Sequence, residues 1–106
     1  MPENTQDVLL PIGSVVKVAD IPKRLIIIGI LQKRADTDEI FDYLGVPYPE
    51  GYVSDAYRYL FNTDQIEEFV FAGFVDSEYQ LYRSQVVQSE DYRERFKSKM
   101  TSDSGV

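Results

Sequence analysis

The chain has 106 residues, 43% of them hydrophobic and 27% charged, the composition of one soluble globular domain. Eighteen Asp and Glu against eleven Lys and Arg give a net charge of −7, which repels phosphate backbones and anionic membrane surfaces, so neither nucleic acid nor a membrane is an expected partner. With no Cys, His or Trp, the sequence excludes disulfides, thiol nucleophiles, thiolate or imidazole metal sites and Ser-His-Asp triads.

Residues 1–8 are polar and acidic, without the positive charge and apolar stretch of a secretory signal, and are expected to be disordered. The longest apolar run, Leu25 to Leu31, is seven residues, against the roughly 18 that span a bilayer, so the chain is expected in the cytoplasm. A small β domain is expected over 9–76, a helix over 77–99 and a disordered tail over 100–106.

Ser14 to Ala19 is a short β-branched run. After a Pro-containing turn comes Arg24 to Leu31, whose three consecutive isoleucines favour strand because β-branched side chains lose rotamer freedom in a helix. The two read as a hairpin, with Gly29 marking a bulge. Gln32 to Asp38 reads as a charged loop and Glu39 to Leu44 as a third strand. Gly45 to Gly51 holds two prolines and two glycines and predicts a rigid turn. A fourth strand is expected within Tyr52 to Phe61. Asn62-Thr63-Asp64 caps a helical turn at 65–67, and Glu68 to Phe74 closes the sheet.

From Ser77 the period changes. Ser77-Glu78-Tyr79-Gln80 has the pattern of a capping box, and Tyr79, Tyr82, Val86 and Val87 follow at helical spacing, predicting one helix from about Ser77 to Lys97. The fold class expected is α+β, mainly β: a small SH3-like antiparallel barrel or strongly curved sheet followed by a C-terminal α-helix, with an open sheet covered by the helix as the alternative.

Asp36, Asp38, Glu39 and Asp42, and separately Asp64, Glu67 and Glu68, form loose acidic groups. Neither has the glycine and distal bidentate glutamate of a calcium loop, so both read as solvated surface and no metal or cofactor is expected. A carboxylate-only active site is the one enzymatic alternative. The glycines stand singly and do not make a phosphate cradle. Lys17, Lys23, Arg24, Lys33 and Arg34 lack interleaved aromatics and read as protection of a sheet edge. The most informative feature is aromatic: Phe41, Tyr43, Tyr48, Tyr52, Tyr57, Tyr59 and Phe61 lie close together, with Pro47 and Pro49 among them. Tyrosine rings suit both core packing and partner interfaces, so Tyr43, Pro47, Tyr48, Pro49, Glu50, Tyr52 and Tyr57 are the candidate protein-binding residues.

The segments Leu10-Pro11-Ile12-Gly13-Ser14-Val15-Val16, Leu25-Ile26-Ile27-Ile28-Gly29, Leu60-Phe61-Asn62 and Val70-Phe71-Ala72-Gly73-Phe74 carry a family resemblance, with Asp42-Tyr43-Leu44-Gly45-Val46-Pro47-Tyr48-Pro49-Glu50-Gly51-Tyr52 its specific part. Together they resemble the domain-of-unknown-function family numbered four-one-seven-six. These are small proteins of Gram-positive bacteria often encoded beside type VII secretion genes and LXG-type toxins. The resemblance carries no catalytic residue. It implies genomic company with a secretion pathway, hence a non-enzymatic accessory or chaperone-like partner of an LXG-type effector, or an immunity protein that masks a toxin domain.

Overall fold

The computed structural model describes residues 9–95. The expected disorder at 1–8 and 100–106, and the helix end near 97 or 99, lie outside the described residues. The chain divides into two compact units, one ending at Phe74 and the other beginning at Val75.

The first unit is an open five-stranded antiparallel sheet, mainly β as the composition of its runs predicts. Its strands are β1 (Val15–Val18), β2 (Leu25–Lys33), β3 (Ile40–Pro47), β4 (Tyr59–Phe61) and β5 (Ile66–Phe71), in the spatial order β4-β3-β2-β1-β5. The edge strands β4 and β5 do not pair, so the sheet is not closed into a barrel. The β1–β2 hairpin forms as expected, and the register against β3 slips between Ile27 and Gly29, where the bulge is predicted.

The core is built where the runs predict it. Val16 and Val18 of β1, Leu25, Ile27 and Ile30 of β2, Tyr43 and Val46 of β3 and Phe61 of β4 are buried, each aliphatic side chain contributing about 1.5–3 kcal/mol of transfer free energy. The Tyr43 and Phe61 rings lie 5.5 Å apart and tilted by 36°, while the Tyr43 hydroxyl accepts the Leu10 N–H at 3.0 Å. Asp42 is buried at 5% exposure because Thr63 satisfies it: one carboxylate oxygen accepts from the Thr63 N–H at 2.9 Å and from its hydroxyl at 3.0 Å.

Several local expectations are corrected. Strand β2 runs on through Gln32 and Lys33, so the charged loop starts later. Strand β3 continues through Gly45, Val46 and Pro47, because Ile26 and Leu25 supply partners for Val46 and Pro47. The turn is tighter than predicted: Gly51 N–H donates to Pro47 O at 2.7 Å, Tyr48–Pro49 is cis, and Gly51 adopts φ +77°, a conformation open to glycine without strain. Only Tyr59–Phe61 of the fourth run pairs; Asp55–Tyr57 is a 3₁₀ turn. The helical turn falls at Thr63–Gln65, where the Asn62 N–H donates to Gln65 Oε1 at 2.8 Å and the Gln65 N–H donates to the Asn62 carbonyl at 3.0 Å.

The charges near the first hairpin do not guard an edge. Strands β1 and β2 are interior, and the edge strand β5 carries Glu67 and Glu68 instead. The closing strand runs from Ile66 to Phe71 rather than from Glu68 to Phe74, and every residue of it after Ile66 is exposed.

The second unit opens with helix α1 (Ser77–Val87), whose N-cap is Asp76 rather than Ser77: the Asp76 carboxylate accepts the Tyr79 N–H at 2.9 Å. The predicted single helix breaks at Gln88 and Ser89, and residues 90–95 are helical again. Ser89 causes the restart. Its hydroxyl accepts the Tyr92 N–H at 3.1 Å, and Glu90 and Asp91 place negative charge on the new first turn. Helix α1 has no buried residue, and among the described residues no helix is long and apolar enough to cross a membrane.

Candidate functional site

The candidate residues of the aromatic segment separate into two sets. Tyr43 is wholly buried and Pro47 is buried as the last residue of β3, so these two hold the fold. Tyr48, Pro49, Glu50, Tyr52 and Tyr57 are exposed, the first three in the turn after β3 and Tyr57 in the 3₁₀ turn before β4. Tyr52 and Tyr57 are 60% and 50% exposed. That is too much accessible aromatic surface to be explained by core packing.

Two of these side chains are held in place by charge. Lys23 donates to Glu50 at 2.9 Å, and this bond is the main reason the Glu50 carboxyl sits below its ordinary value. The Tyr52 hydroxyl donates to an Asp55 oxygen at 2.6 Å, which pushes its pKa up because ionisation would set two negative oxygens against each other. Arg58 lies 3.4 Å from the same Asp55 oxygen. These are solvent-screened surface pairs, so they orient the loop more than they stabilise the fold.

Tyr48 joins the loop to the sheet. The Arg24 guanidinium stands over its ring, 5.1 Å from the centroid. Beside this stack runs an apolar groove of about 500 Å³ lined by Gly13, Val15, Ile26, Val70 and Phe71 together with Arg24 and Tyr48. A second depression shares Arg24 and Tyr48 and adds Lys17, Lys23, Pro49 and Glu68. The arrangement offers an apolar trough ending in cations and phenols. It suits recognition of a polypeptide surface, where rigid aromatic and Arg anchors flank an apolar floor.

Arg24, Val70 and Phe71 escaped the sequence reading as contact residues. Phe69-Val70-Phe71 reads as part of the closing strand Glu68 to Phe74, and the run itself carries no mark of a contact surface. Among the described residues no three Asp or Glu gather as metal ligands, and Asp42 is hydrogen-bonded to Thr63.

No curated protein and no solved structure matches the chain. The profile of the family described as "Domain of unknown function (DUF4176)" matches residues 9–81, which takes in the whole sheet and the start of α1. That span covers well over half of the sequence, so the chain belongs to the DUF4176 family.

Proposed function

We propose that this protein works by contact, as a non-enzymatic accessory or chaperone-like partner of a type VII secretion effector of the LXG class, in the cytoplasm. The observation that carries a contact role is exposed aromatic surface: Tyr48 lines an apolar groove with Val70 and Phe71, and Tyr52 and Tyr57 stand open to solvent. Solvent-facing aromatics grouped around a groove are what a partner buries, and tyrosine and arginine are the side chains that dominate such interfaces. The effector class comes from the company that the family keeps in Gram-positive genomes.

Co-expression of the tagged chain with an LXG-type toxin from the same genome, followed by capture, tests this reading. Full-length toxin and its N-terminal half are expected to be retained. Retention of the C-terminal toxin half alone, with relief of its toxicity, makes the protein an immunity factor. Failure to retain any part of the toxin contradicts the proposal.

A further inference from the structure

Strand β5 is bordered by a second groove, separate from the one that reaches Tyr48. It measures about 490 Å³ and is lined by Leu10, Ile66 and Phe69 with Thr63, Asp64, Glu67 and Glu68. The two grooves share no lining residue: β5 contributes Ile66 to Phe69 to this one and Val70 and Phe71 to the other.

The chemistry of this second groove is one-sided. Its floor is apolar and its rim carries three carboxylates and no cation. Among the described residues only Glu67 has an ion pair, a loose one at 3.8 Å to Lys17, and Asp64 and Glu68 have none. Phe69 is 55% exposed above this floor. An exposed phenylalanine beside unpaired carboxylates is complementary to one kind of surface, an apolar side chain flanked by lysine or arginine.

The edge itself is poorly suited to strand addition. Register shifts between Val15 and Val16 and between Lys17 and Val18 place two irregularities along six residues of β5, which bends the row of free backbone groups away from a flat template. Recognition therefore runs through side chains in the groove.

We propose that the Leu10–Ile66–Phe69 groove docks a cationic amphipathic segment of the protein partner, its apolar side chains on Phe69 and its Lys or Arg heads on Asp64, Glu67 and Glu68. This extends the contact reading above by naming the chemistry of the partner segment.

The probe is a labelled amphipathic peptide of lysine and leucine, compared with a lysine and serine peptide of equal charge, titrated against the full chain at physiological salt. The Lys/Leu peptide is expected to bind at least about tenfold more tightly than the Lys/Ser peptide. Asp64→Lys/Glu68→Lys is expected to weaken binding at least about tenfold, while Asp36→Lys/Asp38→Lys, the same change of net charge elsewhere, changes it less than about threefold. Phe69→Ser is expected to weaken binding by a similar factor with an unchanged thermal midpoint, since the ring is exposed. Equal binding of the two peptides, equal weakening by the two charge reversals, or full binding by Phe69→Ser overturns the proposal. Should the toxin capture fail and these titrations succeed, the groove stands and the effector assignment falls. Should Phe69→Ser and Asp64→Lys/Glu68→Lys still capture the toxin at full strength, the groove is not the partner's site and the contact reading is untouched.

Discussion

Strands β2 and β5 are both rich in large apolar residues and both hydrogen-bond to β1, yet they have opposite fates. In β2, Leu25 and Ile27 are wholly buried between neighbours on both sides. In β5, Phe69, Val70 and Phe71 are 40–62% exposed. Pairing alone therefore does not bury a strand. Apolar residues that gain nothing from the fold are the ones available to a partner.

The comparison breaks most severely in the core. Tyr43→Ala removes a buried ring, its packing on Phe61 and the acceptor for Leu10 N–H, and is expected to cost about 3–5 kcal/mol in denaturant unfolding. Phe71→Ser is expected to stay within about 0.5 kcal/mol of the parent. Equal losses in the two variants would mean that β5 is as much core as β3.

Gly73→Ala probes how the far end of β5 is tied down. A Cβ there would collide with the Ile12 carbonyl oxygen, and the Gly73 N–H donates to the buried Ser14 hydroxyl at 3.0 Å. Backbone must shift, and a loss of about 2–4 kcal/mol is expected, readable as a drop in the thermal midpoint. An unchanged midpoint would show that the segment is not seated against the sheet.

Asp42→Ala tests whether this carboxylate belongs to the fold. It strands the Thr63 N–H and hydroxyl, and about 1–3 kcal/mol of stability is expected to go. A neutral result would free Asp42 for another role.

The smallest effect belongs to the exposed loop. The Lys23 contact lowers the Glu50 carboxyl below 4.5, so whatever stability it contributes is complete above that pH and fades as pH falls through the folded-state value. Lys23→Ala is expected to return the Glu50 titration, followed by NMR, to its ordinary range. An unmoved titration would remove the ion pair from the account.

The sheet was legible in the sequence because β-branched runs, the Gly29 bulge and the Asn62 to Gln65 cap are local signals. What escaped was decided by partners distant in the chain. Gly45-Val46-Pro47 reads as a turn until Leu25 and Ile26 extend β3 through it. Phe69-Val70-Phe71 reads as a closing strand, and its exposure is set by packing that the run itself does not encode. The break in the helix carried a local signal: Ser89 followed by two acids is a cap, masked by the periodicity around it. In the aromatic segment, composition could not tell Tyr43 from Tyr48: Tyr43 lies inside β3, packed on Phe61, whereas Tyr48 lies one residue past the strand, in the exposed turn.

The most direct test of a contact role compares folding and binding in the same purified variants. Tyr48→Ala and Tyr52→Ala are each expected to keep a thermal midpoint near that of the parent while weakening capture of the LXG-type toxin by about 1–3 kcal/mol, the range of interface anchors. Normal binding by both variants, or binding lost only in proportion to lost folding, would contradict the claim that this surface exists for a partner.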